Sequence, residues 1–351
     1  MAGGMGKRAT AGTGEEDKRP LTSRQLAAVI GVSQSTISRA FTPGSSISPD
    51  LRERVLRSAR EFGYQPNAIA SMLTKRRTNI VGIVASDMRN PFYPGLIEQL
   101  TQSLQRVGLQ SLLFNVTPGA SVEEQLVAIR TYNVDAVVII SATVLSERAI
   151  AWATEGRRAI LLNRLSDNDI ATVCCDNVAG TRALVDHFHA IGRRKIGYVA
   201  GLSKTAVGIE RRSAFVTRLA ELGMLLVGTV SHESYSYEAG WRGALELLPH
   251  KPDAIFFASD ILAIGGMDAL RREAGIAVPG DIAVAGFDDI AMAAWPAYSL
   301  TTYRQPVDTL VEATLELIAA EQPRPVHWSI AGNLVVRASS TGRLPVSSSA
   351  G

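Results

Sequence analysis

Between residues 21 and 63 the apolar positions recur at helical spacing in three successive segments. LTSRQLAAVIGVSQSTISRAF reads as two short helices joined by a turn at Gly31-Val32, with Leu21, Leu26, Ala27, Val29 and Ile30 on the inward face of the first. Ser33 is placed to cap the second, Gln34 to about Phe41, which is expected to bury Ile37, Ala40 and Phe41. Gln34, Ser35, Thr36, Ser38 and Arg39 then face outward. Two such helices cannot bury a core alone, so a third is required; Ser48 and Pro49 open it and Gly63 closes it. A trihelical unit whose second helix is polar and carries an arginine has the shape of a DNA major-groove reader.

Past Asn79 the pattern changes to continuous apolar runs alternating with helical stretches. Strands are expected at Ile80–Ser86, Gln110–Asn115, Ala136–Ser141, Ala159–Asn163 and Thr172–Asp176, then Ile196–Gly201, Leu226–Val230, Ala254–Ser259 and Ile282–Asp289. The helices between them are expected at about Pro94–Val107, Val122–Thr131, Gly180–Ile191, Glu210–Leu222, Tyr237–Leu248 and Leu262–Glu273. Apolar strands alternating with helices make parallel sheets covered on both faces, and some ten strands suit two doubly wound sheets. The fold class is therefore α/β, with an all-α head ahead of it. In such sheets ligands lie beyond the carboxyl ends of the strands, so the polar residues there are the ones to examine.

Charge sharpens the division. Residues 1–79 hold 13 basic and 6 acidic side chains, whereas the remainder holds 23 and 27. Lys18, Arg19, Arg24, Arg39, Arg52, Arg54, Arg57 and Arg60, with the run Lys75-Arg76-Arg77, are available to neutralise phosphates. The 351 residues exceed one ordinary domain, and 46% hydrophobic content is ample for a large core. No apolar run is long enough to cross a bilayer and the first residues lack a signal-peptide core, so a cytoplasmic protein without membrane contact is expected. The Gly/Ala/Thr-rich stretch 1–18 reads as a disordered extension.

Cys174 and Cys175 are adjacent, a spacing that suits neither a structural disulfide nor a metal site; buried thiols beside a strand are expected. His187 and His189 stand two apart on a helix and face different sides, so no metal is expected. No Gly-x-Gly-x-x-Gly, Walker-type lysine loop or Gly-x-Ser-x-Gly turn is present, which argues against nucleotide cofactors and hydrolase chemistry. A solute-binding protein and a sugar-converting enzyme on the same α/β frame remain alternatives. The first would call for a signal peptide, and the second leaves residues 21–73 without a purpose.

The order of several motifs resembles the lactose/galactose repressor family of bacterial transcription factors from about Leu21 to Leu344. The matching segments are GVSQSTISRAF, GYQPNAIASML, IVGIVASDMRNPFY, DNVAGTRALVDHFHAIGRRKIGYVAG, ERRSAF, SDILAIG and GFDDIAMAAWPAYSLTTYRQP. The resemblance implies a dimeric repressor that binds a pseudo-palindromic operator in double-stranded DNA, with a periplasmic-binding-protein-like body holding a small-molecule effector. It implies residues 19–65 as the helix-turn-helix domain, 66–78 as hinge and linker, and 79–345 as the effector domain, followed by a tail at 346–351. The effector domain would have one subdomain at about 79–175 and 304–330 and another at about 176–303 and 331–345.

On the DNA side the resemblance implies base contacts from Gln34, Ser35 and Arg39. Thr22, Ser33, Thr36 and Ser38 would support them or touch phosphate. Asn67, Ala70 and Leu73 would belong to a hinge helix too short to be stable alone, folding on DNA with Leu73 wedged into the minor groove. For the effector it implies Asp87, Asn90, Phe92, Tyr93, Asn163, Arg211, Tyr235, Ser259, Asp288 and Trp295. Carboxylates, an amide, guanidinium groups and aromatics together suit a hydroxyl-rich molecule, a sugar or sugar acid, ahead of a purine-like one. Asn163 stands where some members hold a carboxylate, and Arg212 beside Arg211 leaves open which guanidinium faces the ligand. Asp260 and Asp289 are expected to hold neighbouring loops, and Asp176 to cap a turn or helix near the crossover between subdomains. The short small-residue tail favours a dimer.

Overall fold

The computed structural model describes residues 21–42, 44–66, 78–116, 129, 131–140, 158–165, 170–320 and 326–341. The expected extension at 1–18, the hinge at 67–73, nearly all of the helix at 122–131 and the tail lie outside them. The chain divides between Arg77 and Thr78 into two compact units.

The first unit holds α1 (Ser23–Ile30), α2 (Gln34–Ala40) and α3 (Pro49–Glu61). Thr22 and Gln25 form a reciprocal capping box on α1, and Gly31 at φ 71° ends it in the left-handed region. The Ser33 hydroxyl caps α2 at the Thr36 N–H. Pro49 opens α3, but the Ser48 hydroxyl makes no cap bond, so only its backbone geometry fulfils the expectation. Leu26, Ala27, Ile37, Ala40, Val55 and Ala59 form the core, sealed by Phe41 against Tyr64. Val29, expected inside, is 56% exposed. Leu26 and Ile30 already occupy the inward stripe, and 3.6-residue periodicity turns Val29 away from it.

The second unit is two six-stranded sheets with helices around them. In chain order come β1 (Ile80–Ser86), α4 (Phe92–Arg106), β2 (Gln110–Val116), β3 (Ala136–Ile140), β4 (Arg158–Leu162) and β5 (Ala171–Cys175). Next are α5 (Asn177–Ala190), β6 (Lys195–Ala200), α6 (Ala206–Glu221), β7 (Leu225–Ser231), α7 (Tyr237–Leu247), β8 (Ala254–Phe257) and α8 (Asp260–Asp268), which runs into a π turn at Ala269–Glu273. Last are β9 (Ala283–Asp288), β10 (Thr301–Arg304), α9 (Val307–Ala319), β11 (His327–Ile330), β12 (Asn333–Val335) and α10 (Ala338–Thr341). The strand orders are β11-β5-β4-β3-β1-β2 and β12-β10-β9-β8-β6-β7. Every pairing is parallel except that of β12, an antiparallel edge.

Side-chain caps set three of the helix starts: Asp176 for α5, Thr205 for α6 and Ser236 for α7. The cap at Asp176 agrees with expectation, while α6 begins four residues earlier than the apolar pattern alone suggests. Cys174 and Cys175 are buried free thiols on β5, as expected. The second sheet carries an aromatic stack of Tyr198 on Phe215 and Phe256, with centroids 4.9 and 5.4 Å apart.

Helices α7 and α8 pack almost backbone to backbone. A Cβ on Gly240 would strike the Leu262 carbonyl, and one on Gly265 the Tyr237 carbonyl, so each helix offers a glycine to the other. Gly265→Ala is expected to lower stability by about 1–3 kcal/mol, a drop of several degrees in Tm. An unchanged melting curve would contradict this packing.

Candidate functional site

In the first unit, α2 presents Gln34, Ser35, Ser38 and Arg39 to solvent while Ile37 and Ala40 anchor it. The Ser33 hydroxyl lies 2.7 Å from that of Ser35 and 2.9 Å from that of Thr36. Gln34 Nε2 donates to the Ser23 hydroxyl at 2.8 Å. Arg39 folds back over the same helix, its guanidinium 3.4 Å from the Ser35 carbonyl and hydroxyl. These bonds between exposed groups are weak and exchangeable, so the face can be remade against base edges. Two arginines expected to serve phosphates have structural partners. Arg52 donates to the Thr42 carbonyl at 2.7 Å and the Ser45 hydroxyl at 2.9 Å, and Arg54 donates to the Ile30 carbonyl at the end of α1. Thr22 is engaged in its capping box, and Asn67, Ala70 and Leu73 lie outside the described residues.

In the second unit, the residues that follow β1, β4, β8 and β9 gather around one buried guanidinium. Arg211, on α6, is 3% exposed. Its Nε donates to Asn177 Oδ1 at 2.8 Å and its Nη1 to the Ala258 carbonyl at 2.7 Å. Nη2 stands 3.7 Å from Asp288 Oδ1, and the group lies 3.7 Å above the Phe287 ring centroid. Arg211 rather than Arg212 therefore turns inward. Burial by itself would lower its pKa, but Asp288 and other nearby acidic groups outweigh this and raise it.

Asp288 sits at φ 122°, a strained backbone angle, and accepts from Gln305 Nε2 at 2.6 Å. Burial raises the Asp288 carboxyl, with Arg211 and Gln305 pulling it back down. Burial first and the Asp288 charge second push the Asp260 carboxyl well above the usual carboxylate range. It accepts from the Thr302 hydroxyl at 2.6 Å and the Ile290 N–H at 2.9 Å. Asp289 pairs with Arg304 and Arg337 at 2.6 and 2.7 Å. Asp260 and Asp289 thus hold loops, as expected.

From the first sheet, Asp87 at φ 58° and Asn163 at φ 55° turn the chain at the ends of β1 and β4. The Tyr93 phenol is buried, and its ionisation is raised by burial and then by Tyr235 and Asp288, with Arg211 opposing and Asp87 adding. Those couplings place Tyr93, Tyr235, Asp87, Arg211 and Asp288 in one neighbourhood drawn from both sheets. Arg164 also feels Tyr93, and burial lowers its pKa. Asp87 is pushed up to about 6 by burial, against the pull of Arg89, and its Oδ2 is buried with no hydrogen-bond partner among the described residues. The Ser259 hydroxyl is likewise buried and unpartnered.

Other expected residues have local tasks. Asn90 caps the turn by accepting from the Phe92 N–H at 3.1 Å, and Phe92 packs edge-on against Tyr93 at 5.5 Å. The Asn163 amide oxygen lies 3.8 Å from the Cys174 sulfur. Trp295 follows a 3-10 turn at Ala291–Ala294 and is 52% exposed. Sequence reasoning missed Asn177 and Gln305, which hold Arg211 and Asp288. The signal for them is an amide beside each of two passages between the sheets, one after β5 and one after β10.

A three-helix head with an exposed polar second helix, joined to a doubly wound two-sheet body, defines a class of helix-turn-helix regulators with a periplasmic-binding-protein-like domain. The family described as bacterial regulatory proteins, lacI family, matches residues 24–67, and the periplasmic binding protein-like domain matches residues 185–340. The transcriptional regulator CelR of Thermobifida fusca is 30% identical over 344 residues, 93% of this chain and 99% of the relative. GalS of Salmonella typhimurium is 28% identical over 305 residues, 85% and 88% of the two chains. A solved CelR–cellobiose complex aligns with TM-score 0.69 at 27% identity over 91% of this chain and 100% of the other. The lac repressor dimer on operator shares the fold, with TM-score 0.83 at 23% identity over 92% and 99%. The chain belongs to the lacI family of bacterial regulatory proteins and is a DNA-binding transcriptional regulator. No described helix is long and apolar enough to cross a membrane.

Arg39→Ala is expected to weaken binding to a specific site about tenfold or more while changing non-specific binding little, as read by fluorescence anisotropy. Equal losses on both DNAs would make Arg39 a phosphate contact. Asp87 supplies a second check through its raised pKa. A carboxyl raised from 3.8 to about 6 by folding contributes stability that is present below its unfolded pKa and is lost as pH rises through the folded value. Asp87→Asn should therefore gain in Tm relative to the parent between about pH 4 and 7. A difference that stays flat across that range would contradict the burial of Asp87.

Proposed function

We propose that this regulator is a repressor whose operator affinity is set by a neutral, hydroxyl-rich effector bound around Arg211 and Asp288. The observation that carries the ligand class is the state of the polar groups there. The Arg211 charge is already faced by the Asp288 carboxylate at 3.7 Å, and its Nε and Nη1 are held by Asn177 and the Ala258 carbonyl, so the group is no unmatched cation waiting for an anionic ligand. Asp87 Oδ2 and the Ser259 hydroxyl, by contrast, are buried without partners among the described residues. A buried acceptor of this kind is best satisfied by a hydroxyl donor, and a ligand carboxylate would add a further acidic group beside Asp87 and Asp288. This favours a sugar over a sugar acid. The cellobiose held by the related CelR is of the same chemical kind. Tyr93 and Tyr235 offer aromatic faces for the C–H side of a sugar ring.

In this reading, residues 19–65 read DNA, 66–78 form the hinge, and the two sheets of the body belong to subdomains that close around the effector. A single seven-residue recognition helix spans few base pairs, so two copies on a pseudo-palindrome are needed for a unique operator. Asn67, Ala70 and Leu73 would contact the minor groove between the half-sites. On this reading the body serves the DNA-binding head as a sensor, in place of an enzyme or a stand-alone solute binder, in keeping with the regulators it is similar to.

A thermal-shift panel tests the ligand class. Neutral mono- and disaccharides, cellobiose among them, are compared with uronic acids and nucleobases. A neutral sugar should raise Tm by several degrees at millimolar concentration, by mass action on the folded state. A shift confined to acids or nucleobases would overturn the reading.

A further inference from the structure

The chain passes between the two sheets three times, after β5 at Asp176, after β10 at Gln305-Pro306 and after β11 at Ala331-Gly332. These crossovers are tied to one another. The Asp176 N–H donates to the Ile330 carbonyl at 2.9 Å, and the Gly332 N–H donates to the Tyr303 hydroxyl at 2.8 Å. A Cβ at position 332 would strike the Arg304 carbonyl, so the second and third crossovers run backbone against backbone.

Two of the three also hold the buried ion pair. Asn177, the first residue of α5, is 1% exposed; it accepts from Arg211 Nε at 2.8 Å and donates to Glu210 Oε2 at 2.9 Å. A carboxylate on one side and a guanidinium on the other fix the orientation of its amide. Gln305, 2% exposed, donates to Asp288 Oδ1 at 2.6 Å, while its own Oε1 is buried without a partner among the described residues. An unsatisfied buried amide oxygen is a cost that an apolar side chain would avoid, so the use of glutamine here lies in the bond its nitrogen makes. Between these amide-held groups, Arg211 Nη2 and Asp288 Oδ1 stand 3.7 Å apart, a looser contact than either bond to the crossovers.

We propose that Asn177 and Gln305 are positioning residues that attach the two members of the ion pair to two separate crossovers, Arg211 to the first and Asp288 to the second. The proposal rests on the assignment of Arg211 and Asp288 to the effector site. A ligand hydroxyl entering between guanidinium and carboxylate moves both, and each movement pulls on its own crossover. Charge-assisted bonds in a buried setting are short and strong, so the displacement is passed on rather than absorbed. Because the crossovers are bonded to each other, two local pulls combine into one movement of sheet against sheet.

Hydrogen–deuterium exchange on the full-length protein without ligand tests this. Arg211→Lys keeps the charge but loses the Nε bond to Asn177; it should speed exchange about tenfold in peptides covering residues 176–182 and spare 304–310. Asp288→Ser should do the reverse. Gln305→Met keeps the volume, removes the donor and introduces no charge, and should reproduce the Asp288→Ser pattern even if that variant is globally loosened. Both crossovers responding alike to each variant, or neither responding to Gln305→Met, would overturn the proposal. Since no ligand is added, a sugar panel without a hit leaves this result standing, and a flat exchange map leaves the sugar reading standing.

Discussion

A guanidinium at 3% exposure inside an α/β body dictates much of what surrounds it. Taking such a charge out of water is repaid only by an opposite charge and a full set of hydrogen bonds, and removing one partner of a buried pair typically costs about 3–5 kcal/mol. Arg211 finds these partners in Asp288 at the end of β9, the Ala258 carbonyl beyond β8, Asn177 at the start of α5 and the Phe287 face beneath. The strand ends and the first turn of a helix must therefore arrive at one point. The cluster accordingly lies at the carboxyl edge, where parallel sheets of this kind place their ligands.

The same physics divides the molecule's labour. The head reads through an exposed face of small polar side chains whose own hydrogen bonds are exposed and easily exchanged. Its arginines are only partly available, since Arg52 and Arg54 are spent on carbonyls within the head. The body concentrates its chemistry in buried groups with displaced pKa values, where small movements carry large electrostatic consequences. A ligand there can shift DNA affinity only if it favours one arrangement of the body over another.

Much of this was legible in the sequence. The head declared itself through 3.6-residue periodicity and the capping residue Ser33, and the central strands through unbroken apolar runs such as Ala136–Ile140. The reading missed α9 and the strands β10, β11 and β12. Thr301–Arg304, His327–Ile330 and Asn333–Val335 are short, and the last two are edge strands of mixed polarity, so neither length nor alternation marks them. Helix α9 follows Pro306 without a side-chain cap, which removes the usual start signal. Within the site, Asp87, Asn163 and Asp288 fall at the ends of strands, positions that the preceding apolar runs mark in the sequence. Asn177 and Gln305 escaped because their role depends on partners 34 and 17 residues away.

The central claim is that a small molecule at the Arg211–Asp288 pair controls what the head does on DNA. The most direct measurement is the Kd of the intact protein for a labelled fragment of the DNA upstream of its own gene, by anisotropy at fixed ionic strength. It is taken without ligand and with a saturating amount of the neutral sugar that stabilises the protein most. The account predicts a change in Kd of about fivefold or more. An operator affinity that does not move while the sugar demonstrably occupies the body would contradict it.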